Sequence, residues 1–167
     1  MFEPLALAAF AGLLIYAACS DVARLIIPNW VSIALVALFP ISAFIGGATF
    51  LDVGMHILFG FGVLAIGFVL FQFNILGGGD AKLLAAVSVW TGMAAAIPFL
   101  VWTTVAGGVL ALALLTARQL LPAGSYPALV DHLLKKQNGI PYGVAIMIGA
   151  LTAIPSLPFM SSPLTLP

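Results

Sequence analysis

Long apolar segments separated by short polar breaks dominate the hydropathy pattern of this chain. A membrane-spanning helix needs about 20 apolar residues, and six segments approach that length: 4–20, 30–47, 53–75, 81–91, 93–117 and 141–159. Glycine and proline stand at most of the breaks, as expected at helix ends. We therefore predict an all-α polytopic membrane protein with about six transmembrane helices, forming one domain over residues 1–167.

The fourth segment is shorter than the others. From Asp80 to Thr91 a helix rises roughly 18 Å, whereas the hydrocarbon core is about 30 Å thick. Irregular backbone inside a membrane is tolerated only against protein or a water-filled cavity. The sequence therefore predicts that residues 77–79 enter the membrane as irregular backbone or that the segment is re-entrant. Either way, Asp80 is expected in a polar pocket slightly below the surface.

The break at 118–139 is the longest polar segment and carries a helical pattern of its own. In this segment apolar residues recur at helical spacing between polar ones. The apolar residues are Leu129, Val130, Leu133 and Leu134. This pattern predicts a short amphipathic helix on the membrane interface. Such a helix could serve as a lid over a site or simply connect two spans.

Composition supports the membrane assignment and excludes several other classes. Hydrophobic residues make up 63% of the chain and charged residues 6%, against about 25% charged residues in soluble domains. The net charge is zero, so the chain has no excess of positive charge that would attract nucleic acid. A single cysteine excludes an internal disulfide.

The distribution of charge predicts the orientation in the membrane. Every cation lies in or beside the breaks that follow the first, third and fifth segments, namely Arg24, Lys82, Arg118, Lys135 and Lys136. The positive-inside rule makes that side cytoplasmic and places both termini outside. Asp21 and Asp80 then lie at the cytoplasmic face. Aromatic residues suit an interfacial belt at Trp30 and Tyr142 on the cytoplasmic side and at Trp90 on the outer side.

Two of the acidic residues border predicted spans, where ionisable groups are costly and are functional candidates by default. Asp21 follows the first span, and Asp80 ends the run Gly77-Gly78-Gly79-Asp80. Taken alone, each residue has a structural explanation: Asp21 could solvate a helix end, and Asp80 could cap a helix. Brought together on one face, two carboxylates share one proton. Such a pair can activate water against a peptide carbonyl, which predicts an aspartic protease.

Two other types of site remain as alternatives. A small carrier or channel could relay protons or bind a cation through membrane-embedded aspartates, although that reading favours carboxylates near mid-membrane and inverted repeats. Asp52 and His56 stand at i,i+4 and can touch. Only Glu3 could join them on the outer side, which favours a helix cap or an ion pair over a metal site.

Three motifs resemble the prepilin peptidase (type IV leader peptidase) family. They are Asp21 followed by Ile27-Pro28-Asn29, then Gly77-Gly78-Gly79-Asp80-Ala81-Lys82-Leu83, then Ile140-Pro141-Tyr142-Gly143-Val144-Ala145-Ile146. The resemblance runs along essentially the whole chain. Its Gly-x-Gly-Asp element is shared with presenilin-like proteases, which cut inside the substrate's span.

The resemblance implies roles for ten residues. Asp21 and Asp80 become the catalytic aspartates. The supporting residues of the site become Pro28, Asn29, Gly77, Gly79, Lys82, Pro141, Tyr142 and Gly143. On a helix Lys82 points largely away from Asp80, so we expect it to have a structural or lipid-headgroup role.

The resemblance also implies a substrate and a location. The substrate would be a prepilin or pseudopilin with a basic leader ending in glycine and then a long apolar helix, cut at the cytoplasmic face of the bacterial inner membrane. Longer family members carry an amino-terminal region with paired Cys-x-x-Cys motifs, associated with methylation. This chain is more similar to the short peptidases of tight-adherence (Flp) pili or of the preflagellin type, so we expect no methyltransferase activity, metal or cofactor. Expected partners are the pilin and membrane lipid, with the oligomeric state left open.

Overall fold

The structure is a computed structural model that describes residues 2–121, 124 and 126–157. That part of the chain forms seven α-helices and a 3-10 turn, without a strand. The helices are α1 (Phe2–Arg24), α2 (Asn29–Ile45), α3 (Phe50–Gln72), α4 (Gly78–Thr91), α5 (Ala96–Leu120), α6 (Ala128–Leu134) and α7 (Tyr142–Ala153), and the 3-10 turn is Ile154–Ser156. The predicted all-α fold is confirmed for these residues.

Three of these helices are long and apolar enough to cross a membrane, at Pro4–Arg24, Phe50–Gln72 and Ala96–Leu120. Two more apolar helices are shorter, at Asn29–Ile45 and Tyr142–Ser156. The chain is thus a membrane protein, and the count of six spans stays a prediction. Of the predicted segment 141–159, residues 158 and 159 lie outside the described part.

The short helix α4 lies at the centre of the bundle. It packs against α2, α3 and α7, and nearly every residue from Ala81 to Thr91 is buried. A helix enclosed by other helices has its polar backbone shielded by protein, so its length need not match the bilayer. Gly77 is the N-cap and Gly78 and Gly79 are already helical. The predicted irregular backbone at 77–79 is therefore wrong for the last two glycines.

The hydrophobic core surrounds the C-terminal half of α4. Trp90 is 2% exposed, and its indole N–H donates to the carbonyl oxygen of Leu35 at 2.9 Å. Its ring lies 4.6 Å from that of Phe10 and 5.8 Å from that of Phe39. The prediction of an interfacial Trp90 is wrong because this ring fills the space between α1, α2 and α4. Trp30, by contrast, is half-exposed.

The start of α3 is closed by a reciprocal cap. The backbone N–H of Thr49 donates to Asp52 Oδ2 at 2.9 Å, and the N–H of Asp52 donates to Thr49 Oγ1 at 3.2 Å. This arrangement satisfies two amide groups that the helix itself leaves unpaired. The cap predicted at Asp52 is present, with Thr49 as the N-cap residue and Asp52 as the third residue of the helix. His56 Nδ1 lies 2.8 Å from the carbonyl oxygen of Val89.

Arg118 connects the end of α5 to α6. Its guanidinium is buried, with Nε donating to the Leu133 carbonyl and Nη2 donating to the Gly139 carbonyl, both at 2.9 Å. Leu134 on α6 is buried, whereas Lys135 after it is exposed. The predicted short helix in this segment is confirmed, and one arginine binds both its last turn and the loop that follows it.

Replacing Arg118 with methionine should loosen α6. Each carbonyl loses a charged donor, and such hydrogen bonds contribute about 1.5–3 kcal/mol. Hydrogen–deuterium exchange of peptides covering 128–139 should become at least tenfold faster, in line with a loss of more than about 1.4 kcal/mol. The matched control is Arg24→Met, which removes an exposed arginine at the end of α1. Equal exchange in the two variants would contradict the role of Arg118.

Candidate active site

Asp21 lies in the last turn of α1, and the chain reverses directly after it. Leu25 adopts a left-handed conformation with φ of 54°, and its N–H donates to the Asp21 carbonyl at 2.7 Å. This is a usual way to end a helix. The Ser20 hydroxyl donates to the Ile26 carbonyl at 2.8 Å, which holds the returning chain against α1. The linker to α2 is therefore fixed beside the carboxylate.

The Asp21 carboxylate is buried against α7. The side chain is 5% exposed, and its Oδ2 accepts a hydrogen bond from the backbone N–H of Gly143 at 2.7 Å. A Cβ on Gly143 would lie 2.9 Å from that oxygen and 3.0 Å from the Asp21 Cβ. Only glycine lets the first turn of α7 approach this closely. A free N–H at a helix start is also a natural partner for an anion.

Asp80 is the third residue of α4, not its N-cap. Gly77 occupies the cap position, and its N–H donates to the Asp80 carboxylate. This is half of a capping box, in which the third residue reaches back to the cap. A Cβ on Gly77 would lie 2.6 Å from Asp80 Oδ2. Gly77 is therefore needed for the carboxylate to fold back over the helix start.

The two aspartates belong to one site. Asp80 is half-buried in the first turn of α4, outside the three long spanning helices. Burial, and then the neighbouring charge of Asp21, raises the pKa of Asp80 to about 7, while the hydrogen bond from Gly77 opposes the rise. Asp80 therefore holds its proton to a much higher pH than an ordinary aspartic acid does.

A close contact between two motifs brings the segments that carry the two aspartates together. A Cβ on Gly79 would lie 3.2 Å from Cβ of Ile27, which is buried in the linker between α1 and α2. The absence of a side chain at Gly79 lets the linker lie directly on the start of α4. The segments around Asp21, Asp80 and Gly143 thus converge from three different helices.

Three of the remaining predicted site residues lie where α2 and α4 begin. Lys82 Nζ donates to Asn29 Oδ1 at 2.9 Å, and Pro28 is the N-cap residue of α2. Two residues along a helix correspond to a rotation of about 200°. Lys82 therefore lies on the far side of α4 from Asp80, as its spacing predicts.

The other two lie at the start of α7. Pro141 is its buried N-cap residue, and Tyr142 packs on α5, where a Cβ on Gly107 would lie 3.0 Å from the tyrosine ring. Gly107 did not stand out in the sequence, and neither did the packing role of Ile27. A glycine inside a long apolar helix is the available signal, because small residues mark close helix contacts in membranes.

A comparison with protein families is consistent with this geometry. A family model described as the type IV leader peptidase family matches residues 8–112. The match contains both aspartates and the glycine run, whereas the segment 140–146 lies beyond it. Comparisons with curated proteins and with solved structures returned no match.

Proposed function

Because this chain belongs to the type IV leader peptidase family, we propose that it is a membrane aspartic endopeptidase that removes the leader peptides of prepilins or pseudopilins. The observation that carries the proposal is the convergence of two carboxylates from separate helices on one buried site. Asp21 is held there by the N–H of Gly143 at 2.7 Å and Asp80 by the N–H of Gly77.

In the proposed reaction the two carboxyl groups divide the work of acid and base. We assign the role of base to Asp21, because the N–H of Gly143 donates to its carboxylate and favours a negative charge there. It removes a proton from water as the water oxygen bonds to the scissile carbonyl carbon. Asp80 starts protonated and gives its proton to the carbonyl oxygen, so a neutral tetrahedral diol forms.

Breakdown of the diol returns both carboxyl groups to their starting protonation states. Asp80 takes a proton back from one hydroxyl as the carbonyl re-forms, the carbon–nitrogen bond breaks, and Asp21 gives its proton to the leaving amine. Every proton is accounted for within the two carboxyl groups and one water. The order in which the protons leave belongs to the pair as a unit.

The same proposal covers the topology and the substrate. With six spans and the cationic side facing the cytoplasm, the pair lies at the inner surface of a bacterial inner membrane. A prepilin of the Flp type would leave its apolar helix in the bilayer and present the bond after its basic leader at that surface. The chemistry needs no metal and no cofactor.

The test is cleavage of a candidate prepilin by the full chain in proteoliposomes, with mass spectrometry of the product terminus. We expect a single cut between the basic leader and the apolar helix. A cut inside the apolar helix would instead indicate a presenilin-like protease. A proton or cation flux without any cleavage would indicate the carrier.

The rate of cleavage should fall above neutral pH. Since burial raises the pKa of Asp80 to about 7, the proton that it donates is present at pH 6 and lost as the pH rises through 7. The turnover number should then drop by about tenfold per pH unit. Cleavage measured from pH 5 to 9, with a return to pH 6 as a control for irreversible damage, checks this. A rate that stays constant up to pH 9 would exclude Asp80 as the acid.

A further inference from the structure

A groove separate from the aspartate pair runs along the bundle. The helices α2 and α3 both pack against α4 but scarcely contact each other, so a gap opens between them with α4 as its floor. The resulting cavity has a volume of about 610 Å³. Ala37 and Gly60 lie in its wall, and the exposed ring of Phe61 lies at its edge.

The groove faces away from the proposed reaction. Its floor is formed by the α4 residues Lys82, Ala85, Ala86 and Val89. These positions lie roughly 140–240° around the helix from Asp80. A substrate bond held in this groove could not reach the carboxylates, so the groove is a site separate from the proposed active site.

Polar groups are confined to one end of the groove. Lys82 and Asn29, hydrogen-bonded to each other at 2.9 Å, line its mouth at the start of α4 and α2. One helical turn deeper, about 4.5 Å along α2, the hydroxyl of Ser32 also lines the groove. Ser32 is 8% exposed, and its Oγ has no hydrogen-bond partner in the part of the chain that the structure describes. A buried hydroxyl without a partner is costly, so it indicates a polar atom of a ligand.

We propose that this groove binds one anionic phospholipid. The phosphate lies on Lys82 and Asn29, an ester oxygen accepts a hydrogen bond from the Ser32 hydroxyl, and an acyl chain lies along the apolar remainder. Charge favours the anion, because Lys82 is cationic and no acidic side chain lines the groove within the described residues. A lysine near the surface attracts such a headgroup.

The size of the groove favours a lipid over a partner helix. One helical turn with its side chains, about 5.4 Å long and about 10 Å wide, fills roughly 420 Å³. A cavity of about 610 Å³ therefore admits little more than one turn, far less than a spanning helix needs. It lies within the usual range of about 300–1,000 Å³ for small-ligand sites.

Native mass spectrometry of the purified full chain tests the proposal without any peptidase assay. After incubation with equal amounts of phosphatidylglycerol and phosphatidylcholine, the protein should retain one phosphatidylglycerol molecule. Lys82→Met should weaken its retention about fivefold. Ala37→Trp should abolish it by filling the groove without removing a polar group. Lys136→Met, which removes an exposed cation outside the groove, should leave retention unchanged.

Three results would overturn the lipid assignment. One is equal retention of the two lipids, and another is equal retention by the Lys82→Met and Lys136→Met variants. The third is a protein dimer that Ala37→Trp dissociates, since that would make a second copy of the chain the occupant. Circular dichroism of each variant shows whether the helices are intact, so loss of retention by an unfolded protein is recognised as such. Failure of this proposal leaves the proposed peptidase activity unaffected.

Discussion

Replacing either Asp21 or Asp80 with asparagine is expected to reduce the rate of leader cleavage by roughly 10³-fold or more. Asparagine preserves the size of the side chain, and its amide oxygen can still accept the N–H bond that each carboxylate receives. It cannot accept a proton from water or deliver one to the carbonyl oxygen at the required acidity. The purified variants in proteoliposomes, with a prepilin substrate under single-turnover conditions, provide the measurement.

A variant that carries both Asp21→Asn and Asp80→Asn tests whether the two carboxyl groups act together. Because the two carboxyl groups act as one unit, removing both should cost about as much as removing one. Asp52→Asn is the matched control, since Asp52 completes the capping box of α3 and lies outside the proposed site. Its rate should stay within about twofold of the parent, because loss of a cap costs only about 1 kcal/mol of stability. A single variant of Asp21 or Asp80 that folds and keeps a tenth of the parent rate would contradict the proposed reaction.

Replacing Gly143 with alanine is expected to lower the turnover number by about 10²-fold with little change in KM. The added methyl group would lie 2.9 Å from Asp21 Oδ2, so the carboxylate must rotate or α7 must move away. Either movement breaks the 2.7 Å hydrogen bond from the Gly143 N–H. A displacement of about 1 Å in a reacting group can cost about 10² in rate. Steady-state kinetics over a range of prepilin concentrations separates the two parameters.

Gly108→Ala is the matched control for this substitution. Gly108 also lies in a helix, but a Cβ there meets no atom within 4 Å. Alanine is the better helix former by about 1 kcal/mol, so this variant should be slightly more stable and fully active. If Gly143→Ala had the same turnover number as Gly108→Ala, the backbone of α7 would have no part in positioning Asp21.

The helices could be predicted from the sequence, because their extent follows from runs of apolar residues. The predicted segment 53–75 corresponds to α3 at Phe50–Gln72, and 93–117 corresponds to α5 at Ala96–Leu120. The predicted ends of the helices were less accurate, because the local backbone conformation determines where each helix begins and ends. The helix α1 runs on to Arg24 because the left-handed turn comes only at Leu25.

The candidate site could be predicted only in part. The order of the motifs and the distribution of charges predicted Asp21 and Asp80 as site residues. The hydrogen-bond donors that position these two carboxylates depend on how the chain folds, which the motifs do not record. The donor to Asp21 is a backbone N–H, and backbone groups leave no residue signature in a sequence. The orphan hydroxyl of Ser32 is likewise a consequence of how far apart α2 and α3 stand, which no hydropathy pattern records.

The hydrogen bond between Asp21 and Gly143 joins residues 122 positions apart, which belong to the first and the last α-helix of the part of the chain that the structure describes. During synthesis the first helix enters the membrane long before the last one emerges from the ribosome. Until then Asp21 lacks its donor and α4 lacks one of the helices that enclose it. In the proposed enzyme the pair of carboxyl groups is therefore complete only after α7 has been synthesised, so a nascent chain stalled earlier lacks a positioned base.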